Sequence, residues 1–452
     1  MEKQFLVYKY KLYKQILKSL RSYYSEKSVD DKIMEMIRDA KILIDKDLYP
    51  DAIKILEKAK TIAFKYEKLS LLLEIVHWQK RIFNGWVVDE EQNEKDVVQI
   101  YEEEKCLIDK IVNANEFWCM GSKIFLSYRK HGIARTHEDI LRNKVIMNHP
   151  IFKNEEQALS HFSRMVFHWS YNIYYIVVNN PKEQYKHAKK AVELMEIHPH
   201  YIADDPVRYS SRLYYLLTAC KSLKKYEEFF NLNSKLKTLI IEYKLPFSVI
   251  MSIYCLNLGV YIDTGQFKKA ALFLSEIQPA LKERGDKNEI HELLFRANLA
   301  LLYLGNKQYH EALININFAL NEKKDHLPDD HYSSMRVIQL IIHFDKGNMD
   351  LLPYLAKSFY KYLIHKKQLY KTENIFIHFI RTKIDKMNTK KGQEEAFKAL
   401  REELLKISND PMEENFLKFF DIISWLESKI ENRPFAEILR EKSGYILEEE
   451  ND

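Results

Sequence analysis

The sequence predicts an all-α chain: a right-handed superhelical solenoid of antiparallel helix pairs, with long helices and a repeat of about 41–42 residues. Three observations carry this expectation. Only 10 glycines and 11 prolines occur in 452 residues, against the roughly 7% and 5% that are usual. Turns are therefore scarce, and long helices are favoured over many short strands. Hydrophobic residues make up 46% of the chain, with 29 tyrosines and 24 phenylalanines, which is material for a continuous core. Finally, one position returns at a fixed interval: Ala188, Phe229, Ala270 and Ala312 are 41, 41 and 42 residues apart. The residue three places before each is aromatic, namely Tyr185, Tyr226, Phe267 and Tyr309.

The best-formed unit is Leu299 to Leu320, LALLYLGNKQYHEALININFAL. Ala300, Ala312 and Ala319 occupy positions where two helices must touch, Tyr303 and Tyr309 are its aromatic residues, and Gly305-Asn306 lies in the expected turn. This stretch resembles a single tetratricopeptide unit. The interval here exceeds the usual 34 residues by about seven. One extra turn on each helix adds about 3.6 residues twice and keeps each apolar stripe facing its neighbour, so helices of roughly 17–19 residues are expected.

Taken in order, residues 1–27 read as an amphipathic helix with Leu6, Tyr10, Tyr13, Leu17 and Leu20 at helical spacing. Ser28 and Asp30 are candidate caps for a helix starting near Asp31. In DLYPDAIKILEKAK, Tyr49, Ala52, Leu56 and Ala59 repeat the spacing of the reference unit, and Pro50 suits a first helical turn. Residues 84–100 fit the repeat poorly and read as an exposed connection followed by a helix start. The runs Met165–Val178 and Val249–Ile262 read as buried helices, too short to span a bilayer. Toward the end, Leu352 and Phe359, then Ala396 and Leu400, continue the pattern weakly. Two further helical segments are expected after Asp410-Pro411, FLKFFDIISWLESKI and PFAEILREKSG, and then the acidic tail EEEND. The domain organisation read from this is 1–150, an N-terminal helical segment; 151–405, the repeat array; and 406–452, capping helices and tail, in one continuous solenoid.

Several stretches are similar to one family of bacterial tetratricopeptide-repeat proteins that has no established activity. They are LYKQILKSLRSYYSEKSVDDKI, DLYPDAIKILEKAKTIAFKYEKLSLLLEIVHWQKRI, KIFLSYRKHGIAR and DDPVRYSSRLYYLLTACKSLKKYEEF, spanning about residues 8–240. Family members carry a further helical segment ahead of this region, and the chain is expected to begin without it. The resemblance implies the helical fold and a cytoplasmic protein, and it implies no reaction.

The chemistry of the sequence points the same way. There is no Gly-rich phosphate loop, no G-x-S-x-G and no HExxH, so no enzyme and no cofactor are expected. The groups His198/His200 with Asp204/Asp205, and His326 with Asp329, Asp330 and His331, fall in expected connections and read as structural or exposed rather than as metal sites. The four cysteines form no CxxC pair, which fits free thiols in a reducing compartment. No secretory signal is visible, and a cytoplasmic location without membrane insertion is expected. The net charge of +5 argues against a protein dedicated to wrapping nucleic acid.

The expected function is a non-enzymatic interaction scaffold that binds a protein or peptide segment in a helical groove, possible regulation included. Arg212, Asn257, Arg296 and Asn298, on the first helices of their repeats, are the candidate peptide-binding residues: Asn can bond an extended backbone and Arg can fork a carboxylate. The alternative is nucleic-acid binding through residues 357–391, where ten Lys/Arg stand against two acids among Phe359, Tyr360, Tyr362, Tyr370, Phe376 and Phe379. Residues Asp89–Asp109 have the opposite polarity, nine acids against Lys95 and Lys105.

Overall fold

The structure, a computed structural model of the chain, describes residues 2–24, 28–85, 90–283, 289–321, 329–383 and 389–445. The EEEND tail, His326 and residues 86–89 of the expected connection lie outside these. All regular elements among the described residues are helical. In chain order they begin with α1 (Glu2–Tyr24), α2 (Val29–Ile44), α3 (Tyr49–Lys65), α4 (Leu69–Gly85) and α5 (Glu90–His131). Then come α6 (His137–Met147), α7 (His161–Val177), α8 (Pro181–Glu196), α9 (His200–Asp204) and α10 (Pro206–Ser222). The series continues with α11 (Tyr226–Tyr243), α12 (Phe247–Asp263), α13 (Phe267–Glu283), α14 (Glu289–Gly305), α15 (Tyr309–Asn321) and α16 (Asp329–Lys346). It closes with α17 (Leu352–Lys366), α18 (Lys371–Lys383), α19 (Lys390–Ile407), α20 (Glu414–Phe419), α21 (Ile422–Ile430) and α22 (Phe435–Ser443).

Consecutive helices pack as pairs, α2 with α3, α14 with α15 and α17 with α18 among them, and α12 also packs on α14. Helices α10, α12, α13 and α14 each have 17 residues and α11 has 18, the length that the 41–42-residue interval requires. The repeated positions are all buried, three of them small (Ala188, Ala270 and Ala312) and one, Phe229, a large core ring. Tyr226, Phe267 and Tyr309 are the first residues of α11, α13 and α15, whereas Tyr185 lies inside α8, which Pro181 starts one turn earlier. Proline is accommodated there because its missing N–H would have had no helical partner.

The turns inside these pairs share one geometry. A residue with left-handed φ is followed by one whose N–H donates to the carbonyl five residues back, which satisfies a helix-end acceptor. Asp47, Lys224, Gly265 and Lys307 have φ of 59°, 57°, 67° and 60°. The bonds that follow are Leu48 to Leu43, Lys225 to Cys220, Gln266 to Tyr261 and Gln308 to Tyr303, at 2.8–2.9 Å. Gly305 therefore does not supply the turn that the sequence places there. It is the last residue of α14, and a Cβ on it would come within 2.2 Å of the Phe267 ring, so glycine is needed for close packing rather than for φ.

By packing, the chain forms two compact units: residues 1–121, 150–167 and 193–206, and residues 122–149, 168–192 and 207–452. The core of the first is built on α2, α3 and α4, where Ile33, Ala40, Ala52, Leu56, Ala59 and Ile75 are fully buried. Ser28 caps α2 by accepting from the Asp31 N–H at 3.0 Å, and Pro50 sits in the first turn of α3. Glu67 accepts from the N–H groups of His161 and Phe162, 2.7 and 3.0 Å away, and so caps α7.

The core of the second unit runs through α12 to α22. After Asp410-Pro411 there are three short helices rather than two, because Phe420 is extended and Asp421 starts α21 afresh by accepting from the Ser424 N–H at 2.8 Å. This last segment packs against distant parts of its own unit. Phe435 meets Phe267 at 6.1 Å between ring centroids, and Tyr445 stacks on Phe230 at 6.0 Å. Gly265 leaves the space that the Ala436 carbonyl occupies; a Cβ would lie 2.3 Å from that oxygen.

Candidate functional site

Helices α7, α10, α12 and α14 are the first members of successive pairs, and within the second unit, from His168 onward, each contributes to a row of half-buried side chains. Trp169 on α7 lies under the Arg212 guanidinium of α10, 5.4 Å from ring centre to charge. Tyr214 and Tyr215 meet edge to face at 5.6 Å. Asn298 on α14 closes the row, donating from Nδ2 to the Cys255 carbonyl at 3.2 Å.

These side chains are half-buried by area, yet burial holds the Tyr214 and Tyr215 hydroxyls above the ordinary tyrosine range and pushes the Cys255 thiol up to about 12. Together they make a half-buried aromatic and polar wall on the four helices. Such a wall offers rings for apolar contact, one amide and one guanidinium. Arg212 and Arg129 both favour ionised Tyr215, so the Arg212 end carries positive potential.

The four residues singled out in the sequence separate in the structure. Arg212 and Asn298 belong to this wall. Asn257 is 2% exposed and faces α11, exchanging side-chain hydrogen bonds with Asn233 at 2.9 and 3.1 Å. Arg296 faces α15, donating to Asn315 Oδ1 at 3.0 Å and lying over Phe318 at 4.7 Å. Positions 296 and 298 are two apart, about 200° around a helix, so they cannot share one face. Trp169, Tyr214, Tyr215 and Cys255 were missed because aromatic and thiol residues at helical spacing read as core.

The group at His198 and His200 is occupied otherwise, while His326 and the side chains of Asp329 and Asp330 lie outside the described residues. Asp204 pairs with Lys68 at 2.8 Å, the His200 Nε2 is bonded to the Lys65 carbonyl at 2.8 Å, and Tyr201 stacks on His161 at 4.1 Å. No group of three metal-ligating residues comes together among the described residues. In the basic stretch, Phe359, Phe376 and Phe379 are core residues and cannot stack on a base, while Lys357, Lys361 and Lys367 are exposed.

A second polar centre was not visible in the sequence. Arg135, between α5 and α6, is 7% exposed. It forks both oxygens of Glu373 at 2.8 and 3.0 Å and reaches Glu413 at 3.0 Å. Its guanidinium lies 4.1 Å from the centre of Tyr370. Glu413 also accepts from the Thr372 hydroxyl at 2.7 Å and from the N–H groups of Lys371 and Thr372, which caps α18. The small polar cleft beside it is lined by His131, Asp139 and Gln368. Two carboxylates already surround the one guanidinium, so the centre is built for cohesion.

Compared with known proteins, the chain matches no family model, no curated protein and no solved structure. Among the described residues no helix is long and apolar enough to cross a membrane.

Proposed function

We propose that this chain is a non-enzymatic, TPR-like interaction scaffold whose wall on α7, α10, α12 and α14 holds an extended protein or peptide segment. The observation that carries the reading is that Trp169, Arg212, Tyr214, Tyr215, Cys255 and Asn298, on four successive first helices, are all partly accessible, with Trp169 joined to Arg212 and Asn298 to Cys255. Rings on such a wall supply apolar contact at low entropic cost, while a few polar groups orient the ligand. Asn298 can accept a backbone N–H, and Arg212 can take a carboxylate from a side chain or a C-terminus. On this reading the helix pairs continue as a right-handed superhelix, the setting is cytoplasmic, and a change of curvature on binding gives a regulatory route.

Selection from a random-sequence peptide library on the purified protein tests the proposal. Enriched peptides are expected to be acidic, and to bind Arg212→Ala and Tyr215→Ala at least about tenfold more weakly. Replacing Lys366, Lys367, Lys390 and Lys391 with glutamine is expected to leave their affinity unchanged. Failure to enrich any peptide, together with oligonucleotide binding that falls steeply with salt, would overturn it.

A further inference from the structure

Helix α1 belongs to the first unit and leaves its apolar face uncovered. Phe5, Leu6, Leu12, Tyr13, Ile16 and Leu20 are between 46% and 69% exposed. At 100° per residue these six fall within an arc of about 120°, the exposed Tyr8 and Tyr10 flank it on either side, and Val7 is the one exposed apolar residue on the opposite side. Lys11, Lys14 and Lys18 fall within about 60° on the opposite side. Across its sequence the helix carries six Lys/Arg against the single acid Glu2. Lys9 projects from the apolar arc, where its methylene stem can lie along apolar surface with the ammonium turned to water.

We propose that α1 is an in-plane anchor for an anionic lipid surface. Most helical stability in proteins comes from packing an amphipathic face, and α1, with that face exposed, gains it only when the face is covered. Three candidate coverings differ in charge. A second copy of α1 would bring two strongly basic helices together. An acidic protein groove matches the charge, but a helix-in-groove contact is read as a few anchors at i, i+3, i+4 and i+7. Here a broad aromatic and aliphatic arc faces a lysine stripe, the composition of helices that lie at the headgroup boundary with Lys/Arg toward the phosphates. The helix lies along the interface and does not cross it.

Co-flotation of the full chain with vesicles tests this. Binding is expected with phosphatidylcholine vesicles that contain phosphatidylglycerol and not with phosphatidylcholine alone, and added salt should weaken it. Lys11→Glu, Lys14→Glu and Lys18→Glu together should reduce binding about a hundredfold or more. Leu12→Asp with Ile16→Asp should abolish it, and because neither set touches a core, circular dichroism should show an intact helical fold for both. Equal binding by parent and variants overturns the proposal. So does absence of vesicle binding, whether the protein is a dimer broken by the apolar variant, which would assign the face to a second copy, or a monomer, which would leave an acidic protein.

Discussion

At the scale of single residues, Arg135 gives the sharpest expectation. Its partners Glu373 and Glu413 are 0% and 3% exposed, so removing the guanidinium strands two buried carboxylates. Arg135→Ala should cost about 3–5 kcal/mol in chemical denaturation. Arg135→Lys should recover little, because an ammonium cannot fork Glu373 while bonding Glu413. A loss below about 1 kcal/mol for the alanine variant would show that these charges are solvated. His187 gives a pH signature. Its Nδ1 lies 3.0 Å from that of His168, with Tyr171 stacked on its ring. Burial, then His168 and Lys186, lower its pKa from 6.5 to about 3. The unfolded chain binds that proton first, so the stabilisation is complete above pH 6.5 and is lost as pH falls toward 3. The ring is only part-buried, so the loss is a few kcal/mol at most. His187→Phe should flatten the stability profile across that window, and an unchanged slope would assign the acid sensitivity to other groups.

The helices themselves were legible because a packing constraint writes a period. Ala270 and Ala312 must be small where two helices touch, and Phe267 and Tyr309 mark where the second helix starts, so spacing and residue type agree. Ala312→Leu or Ala270→Phe should cost about 1–3 kcal/mol through overpacking. The turns were less legible, because several use Lys or Asp where a left-handed φ favours glycine. Lys224→Gly and Lys307→Gly should each raise stability by up to about 1 kcal/mol, seen as a higher melting temperature. Gly305→Ala should destabilise by clashing with Phe267, and the double variant with Phe267→Leu should recover part of that loss; additive losses would rule out the contact. Asn257 looked like a ligand contact because sequence does not say which way a helix faces. Its pairing with Asn233, like that of Gln339 with Asn317 at 2.6 Å, sets the register between neighbouring helices.

At the scale of the whole chain, the second unit departs from what a sequence period conveys. Repeat arrays are stabilised by nearest-neighbour contacts, and a period of 41–42 residues reports only those. Arg135 with Glu373, Asn179 with Glu414 at 2.7 Å, and Phe267 with Phe435 join residues far apart in the chain. No local pattern encodes such pairs. The wall on α7, α10, α12 and α14 was legible in half, through Arg212 and Asn298, while its aromatic half was indistinguishable from core. Its role as the binding surface is the central claim, and Trp169 reports on it directly. Hydroxyl-radical oxidation of the native protein, followed by mass spectrometry with and without a library-selected peptide, compares Trp169 on the wall with the exposed Trp118 in the same molecule. Protection of Trp169 by several-fold, with Trp118 oxidised at its original rate, is the predicted result; a bound peptide that leaves Trp169 oxidation unchanged would contradict it.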